Sequence, residues 1–134
     1  MKIDIIAIGK IKENYLKEGI AEFSKRLRPY ANLDIIEYME EKMPENPSQS
    51  EKEKILLKEG ERLLQSIKGK PYLVVLDLLG KRMSSEGLAN FFSEKALSGQ
   101  SHIVFLIGGA YGLGSNVKQK ADMRPNLVLI HNGP

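Results

Sequence analysis

Short runs of aliphatic and β-branched residues alternate along this chain with stretches whose apolar residues recur every three or four positions. Lys2–Ile8 carries Ile3, Ile5, Ile6 and Ile8 and stops at Gly9, the pattern of a strand covered on both faces. Leu16, Ile20, Phe23 and Leu27 follow, on one helical face that Pro29 ends. Residues 33–39 read as a second strand. Residues 40–50 hold Pro44, Asn46, Pro47 and two serines and read as a loop with solvated glutamates. Ser50 with Glu53 predicts a capping box. It opens a helix whose buried stripe is Ile55, Leu56, Leu63, Leu64 and Ile67, weakened at Gly60 and stopped by Gly69. Residues 72–78 form the most strand-like run. Ser84 or Ser85 then caps a helix carrying Leu88, Phe91, Phe92 and Leu97 up to Gly99. His102–Ile107 is another buried strand, followed by a glycine loop, a short helix over 115–123 and a last strand over 126–130. This alternation predicts an α/β fold over residues 1–134: a single domain with a mainly parallel sheet and helices on both faces.

Composition narrows the class of protein. With 42% apolar and 28% charged residues, the chain has the makeup of a globular domain rather than a disordered one. No apolar run approaches the ~20 residues of a membrane helix. The first residues, MKIDIIAIGK, contain Asp4 and no small-residue cleavage site, so they read as a strand and not a leader. There is no cysteine, which excludes disulfides and thiolate metal sites and fits a cytoplasmic location. His102 and His131 have no ligand-spaced partners, so no metal site is expected. The net charge is +3. Basic residues concentrate in residues 1–30 and 61–134, an arrangement that suits RNA phosphates and equally a mixed solvated surface.

Ligands of open parallel sheets bind beyond the carboxyl ends of the strands. Two such ends stand out, Leu76-Asp77-Leu78-Leu79-Gly80-Lys81 and the loop 107–114. The loop places four glycines within seven residues, at 108, 109, 112 and 114. Glycine there permits positive φ and close approach of main chain to a ligand, and consecutive N–H groups suit an anion or a polar edge. The same glycines would also serve a tight strand-to-helix turn with no ligand. The loop is not the G-x-G-x-x-G fingerprint of dinucleotide sites, and it lacks the Gly-Lys-Ser/Thr of a P-loop. Asp77 at a strand end is a catalytic candidate without a nucleophile elbow nearby. Lys81 and Arg82 are either phosphate contacts or plain surface charges.

Several stretches together carry a resemblance. MKIDIIAIGKIKENYLKEGIAEFSKRLRPY, DIIEYMEEKMPEN, KEGERLL, LGKRMSSEGLA and VFLIGGAYGL resemble the RlmH family of SPOUT-class methyltransferases over residues 1–122. The resemblance implies a SPOUT-like α/β sheet with a deep trefoil knot, an exception to the rule that chains do not thread. It implies an enzyme that uses S-adenosyl-L-methionine as cofactor, bound by the loops of the knot. The reaction it implies is methylation of N3 of a pseudouridine in 23S ribosomal RNA, within the ribosome and by a homodimer. Two cofactor-binding positions carry over, Leu76 at the end of the third strand and Gly108 at the start of the glycine loop. No catalytic residue carries over, and no metal or membrane partner is implied. Such a reaction asks mainly for alignment of N3, methyl carbon and sulfur, and for the deprotonated imide.

Residues 123–134 diverge from the family pattern of a serine-rich loop, a Phe-Pro-His segment and a helix with Tyr-Arg-Ala. The knot, the third cofactor loop and much of the dimer face are therefore expected to be incomplete. A shifted reading frame near Arg124, a truncation or natural divergence would each produce this pattern. Three functions follow as expectations: the methyltransferase itself, a catalytically dead S-adenosylmethionine-binding or scaffold relative, and an unrelated α/β nucleotide-binding module.

Overall fold

Four strands pair in parallel in the order β2-β1-β5-β3. The computed structural model describes residues 1–9, 21, 24–25, 27–29, 31–76, 81–109 and 111–127, with main chain alone at 81, 82, 85 and 127. The strands are β1 (Lys2–Ile8), β2 (Asn32–Tyr38), β3 (Tyr72–Val75), β4 (Lys81–Met83), β5 (His102–Ile107) and β6 (Pro125–Leu127). The helices are α1 (Gln49–Ser66), α2 (Ser85–Leu97) and α3 (Ser115–Lys120). Ile5 of β1 faces Ile35 of β2 on one side and Phe105 of β5 on the other. Beyond β3, the chain returning from α3 runs along the sheet edge. Asp122 and Met123 donate to the Leu73 carbonyl, and Val75 donates to that of Met123. β6 then pairs in parallel with β4.

Side chains alternate across the sheet, so each strand serves two cores. Ile3, Ile5, Val74, Ile103 and Phe105 pack on one face against Leu27 and against Leu88, Phe91 and Phe92 of α2. Ile6, Ile8, Leu73, Val75, Val104 and Leu106 pack on the other against Leu63 of α1 and Leu113 and Val117 around α3. The expected parallel sheet with helices on both faces is thus the observed one. Of the helical stripe expected over residues 16–27, Leu16, Ile20 and Phe23 lie outside the described residues.

Some boundaries differ from expectation, each for a local reason. The capping box that opens α1 is Ser48 with Glu51, not Ser50 with Glu53. Ser48 is the last extended residue (φ −68°, ψ 164°), its hydroxyl accepts from Glu51 N–H, and the Glu51 carboxylate accepts from Ser48 N–H. Hydrogen bonding from the Ser48 N–H, and then from its hydroxyl, holds the Glu51 carboxyl below its ordinary value. Ser50 already lies inside the helix. Leu97 is 89% exposed rather than part of the α2 stripe. Five residues at about 100° each carry it ~140° round from Phe92. α3 stops at Lys120 because residues 122–123 are drawn into pairing beside β3. Lys81 and Arg82 form with Met83 a strand, β4, and the last strand begins at Pro125, one residue before 126. Residues 77–78 and 128–130 of the expected strands lie outside the described residues.

Gly60 does more than weaken a helix. A Cβ there would lie 2.5 Å from Asn116 Oδ1 and 2.7 Å from Val117 Cγ2, so α1 and α3 touch through the absence of that atom. A Cβ on Gly114 would likewise lie 2.6 Å from the Leu56 carbonyl oxygen. Asn116 fastens the contact, donating from Nδ2 to Leu57 O at 2.9 Å. Helix propensity alone favours Ala over Gly by about 1 kcal/mol. Overpacking of a fixed contact costs ~1–3 kcal/mol, so Gly60→Ala is expected to lower the urea midpoint. A raised midpoint would show that the α1–α3 contact yields freely.

Candidate functional site

The carboxyl ends of the parallel strands all point to one edge of the sheet, and the connections leave that edge on different faces. The chain after β1 passes Leu27, and the chain after β3 reaches α2, both in the same core. The chain after β5 goes to Leu113 and Val117 in the opposite core. β5 lies between β1 and β3. A crevice is therefore expected on each side of the β5 end, since ligand clefts open where neighbouring connections diverge.

Leu76 and Gly108 stand at the adjoining ends of β3 and β5, on one side of the β5 end. Val75 stands opposite Leu106 in register, so Leu76 and Gly108 leave the sheet on adjoining strands. Leu76 N–H donates to Leu106 O at 3.0 Å, which holds the end of β3 onto β5. Gly108 is partly buried. A Cβ on it would lie 2.8 Å from the Gly112 carbonyl carbon, so the loop closes main chain on main chain. The turn is held by Gly112 N–H donating to Gly109 O at 3.1 Å, with Gly112 at φ +81°. Tyr111 projects from its tip, 45% exposed, with Lys52 Nζ 5.7 Å from its ring centroid. The tight turn brings the main chain of the loop to the sheet edge.

On the other side, between the ends of β1 and β5, lies a residue that sequence patterning assigns to a solvated loop. The Glu40 carboxylate lies 3.6–3.9 Å from the place a Cβ would take on Gly9, and a Cβ on Gly109 would overlap Glu40 Oε2. Gly9 has φ +83°, and its N–H donates to Tyr38 O at 2.7 Å. Glu40 is positioned from α1. Glu59, 3% exposed, accepts from Glu41 N–H at 3.0 Å. Arg62 donates to Met39 O, lies 3.4 Å from Glu41 Oε1 and covers the Tyr38 ring at 4.8 Å. Burial pushes the Glu59 carboxyl above its ordinary value. Glu40 and Glu41 add to the rise, while the Glu41 N–H and Arg62 oppose it. The signal for Glu59 was its spacing: Leu56, Glu59, Gly60 and Leu63 share one helical face.

The remaining candidates fall elsewhere. His102 Nε2 meets Asp4 Oδ2 at 2.7 Å near the opposite, amino-terminal end of β1 and β5. Asp77 and His131 lie outside the described residues, as do the side chains of Lys81 and Arg82. Among the described residues no group of three or more His, Asp or Glu could hold a metal, and no helix is long and apolar enough to cross a membrane.

Comparison with known proteins bears on this edge of the sheet. A family described as "Predicted SPOUT methyltransferase" matches residues 1–130. The chain is 54% identical over 124 residues to the ribosomal RNA large subunit methyltransferase H of Carboxydothermus hydrogenoformans, covering 92% of this chain and 78% of that protein. It is 46% identical over 130 residues to the protein of the same name from Leuconostoc citreum, covering 97% and 82%. A putative ribosomal RNA large subunit methyltransferase H of Methanococcus maripaludis is 48% identical over 124 residues, covering 92% and 78%.

The position of Glu59 generates a pH dependence. Its folded carboxyl holds a proton more readily than the unfolded one. Stability from this group is thus greatest below the ordinary value of 4.5 and falls as pH rises through the raised folded value. Glu59→Gln keeps an oxygen for the Glu41 N–H and removes the titration. Its unfolding midpoint relative to the native chain is expected to rise between pH 4 and pH 8. Glu59→Ala, which leaves that N–H without its partner, is expected to be less stable throughout. An offset for Glu59→Gln that is constant with pH would contradict the assignment.

Proposed function

The chain belongs to the RlmH family of SPOUT methyltransferases, and on that premise we propose that it methylates N3 of a pseudouridine in 23S ribosomal RNA from S-adenosyl-L-methionine, held at Leu76 and Gly108. The observation that carries the placement is the closure of Gly108 on Gly112 beside the end of β3. It gives the crevice a wall of main chain with an apolar side chain, Leu76, on the adjoining strand.

The residues present fit the donor. Its adenine edge calls for main-chain donors and acceptors, and its ring for apolar contact. The loop supplies the first without side chains in the way, since any Cβ at 108 would strike Gly112. Bound there, S-adenosylmethionine supplies a methyl group already activated by a sulfonium. Leu76 and Gly108 would hold the donor, and alignment of methyl, sulfur and N3 would supply the main part of the rate. A second copy of this chain is the partner in this reading, and the ribosome is the substrate.

Two measurements test it. Titration of the native chain with S-adenosylmethionine is expected to give saturable heat, and Gly108→Ala to weaken binding about ten-fold or more, on the scale of the ~1–3 kcal/mol of overpacking. Ribosomes lacking the modification are expected to accept labelled methyl on 23S RNA. Binding without transfer would leave a donor-binding scaffold in place of an enzyme. No heat at millimolar donor would remove the donor site itself.

A further inference from the structure

We infer that Glu40 reads the charge of the methyl donor, favouring the sulfonium of S-adenosylmethionine over the neutral thioether of S-adenosylhomocysteine. The inference rests on the donor site proposed above and adds a specificity-determining residue to it. Leu76 and Gly108 lie on the β3 side of the β5 end. Glu40 lies on the β1 side, where its carboxylate packs onto Gly9 and onto Gly109, the residue after Gly108. Gly109 thus joins the two sides, and a donor held at Leu76 and Gly108 would have Glu40 as the carboxylate next along the same stretch of main chain.

Three features make this carboxylate more than a surface charge. Glycine stands at both positions beneath it, and at 109 a side chain would collide with Glu40 Oε2. The chain on either side of it is tied down, by Arg62 to Met39 O and by Glu59 to Glu41 N–H. Those ties come from α1, on the face of the sheet to which the glycine loop also turns. The result is an anionic group held over Gly9 and Gly109 at the carboxyl ends of β1 and β5.

Glu40 faces a positive charge before transfer and a neutral sulfur after it. The methyl carbon bonds N3 as the carbon–sulfur bond breaks, the electron pair of that bond stays on sulfur, and the N3 proton leaves to solvent. The same carboxylate thus holds the fresh donor more tightly than the spent one and favours exchange. Because Glu40 is exposed, the effect is that of a partly screened pair, at most about 1 kcal/mol and so up to about five-fold in affinity.

Calorimetric titration of the native chain and of Glu40→Gln with S-adenosylmethionine and, separately, S-adenosylhomocysteine tests this, with circular dichroism to match the folded states. Expected is about a three- to five-fold loss of S-adenosylmethionine affinity in Glu40→Gln with little change for S-adenosylhomocysteine, and a smaller difference at high salt. Equal weakening of both ligands, or of neither, would overturn the role of Glu40 while leaving the donor site standing. A native chain that binds neither ligand would overturn the donor site, and this inference with it.

Discussion

Parallel pairing of β1 with β5 is the constraint on which the rest of the structure depends. Parallel strands cannot be joined by a tight turn. Each therefore sends its chain across a face of the sheet before the next strand begins, and both faces become covered. That is why Ile3 and Ile5 serve one core while Ile6 and Ile8 serve the other. It also brings the ends of these two strands, Gly9 and Gly108, to the same edge. The site is a consequence of the pairing rather than an addition to it.

Glycines set how closely the chain packs around this edge. Gly60 leaves room for the Asn116 and Val117 side chains and Gly114 for the Leu56 carbonyl, which fixes where the loop after β5 returns. Gly108 and Gly112 close that loop on itself, and Gly9 and Gly109 leave the space that Glu40 fills. Side chains with charge then lock the surroundings: Glu59 and Arg62 hold residues 39–41 against α1, and Asn116 holds α3 to α1. The buried Glu59 carries a desolvation cost that its hydrogen bond to Glu41 partly offsets.

The sequence made the strands and the two-faced core legible because both are periodic. Ile3 to Ile8 and His102 to Ile107 are strands by composition alone, and Leu88, Phe91 and Phe92 mark the buried face of α2. The glycine loop was legible as well, with Leu76 and Gly108 named from resemblance. Contacts between segments distant in the chain were not. Nothing in residues 40–53 indicated that Glu40 would reach Gly109, since that contact requires β2 and β5 to flank β1 first. Gly60 looked like a defect in a helix until its neighbour, Asn116, was in place. Leu97 looked buried because it is apolar, yet its angle around the helix turns it to solvent.

We propose that the carboxyl edge of the sheet, around β5, holds the methyl donor. Amide-resolved nuclear magnetic resonance of the native chain during titration with S-adenosylmethionine tests it most directly. Perturbations are expected to begin at Leu76 and at Gly108, Gly109 and Gly112, and to extend to Gly9. Perturbations confined to the opposite edge, around Asp4 and His102, would contradict it.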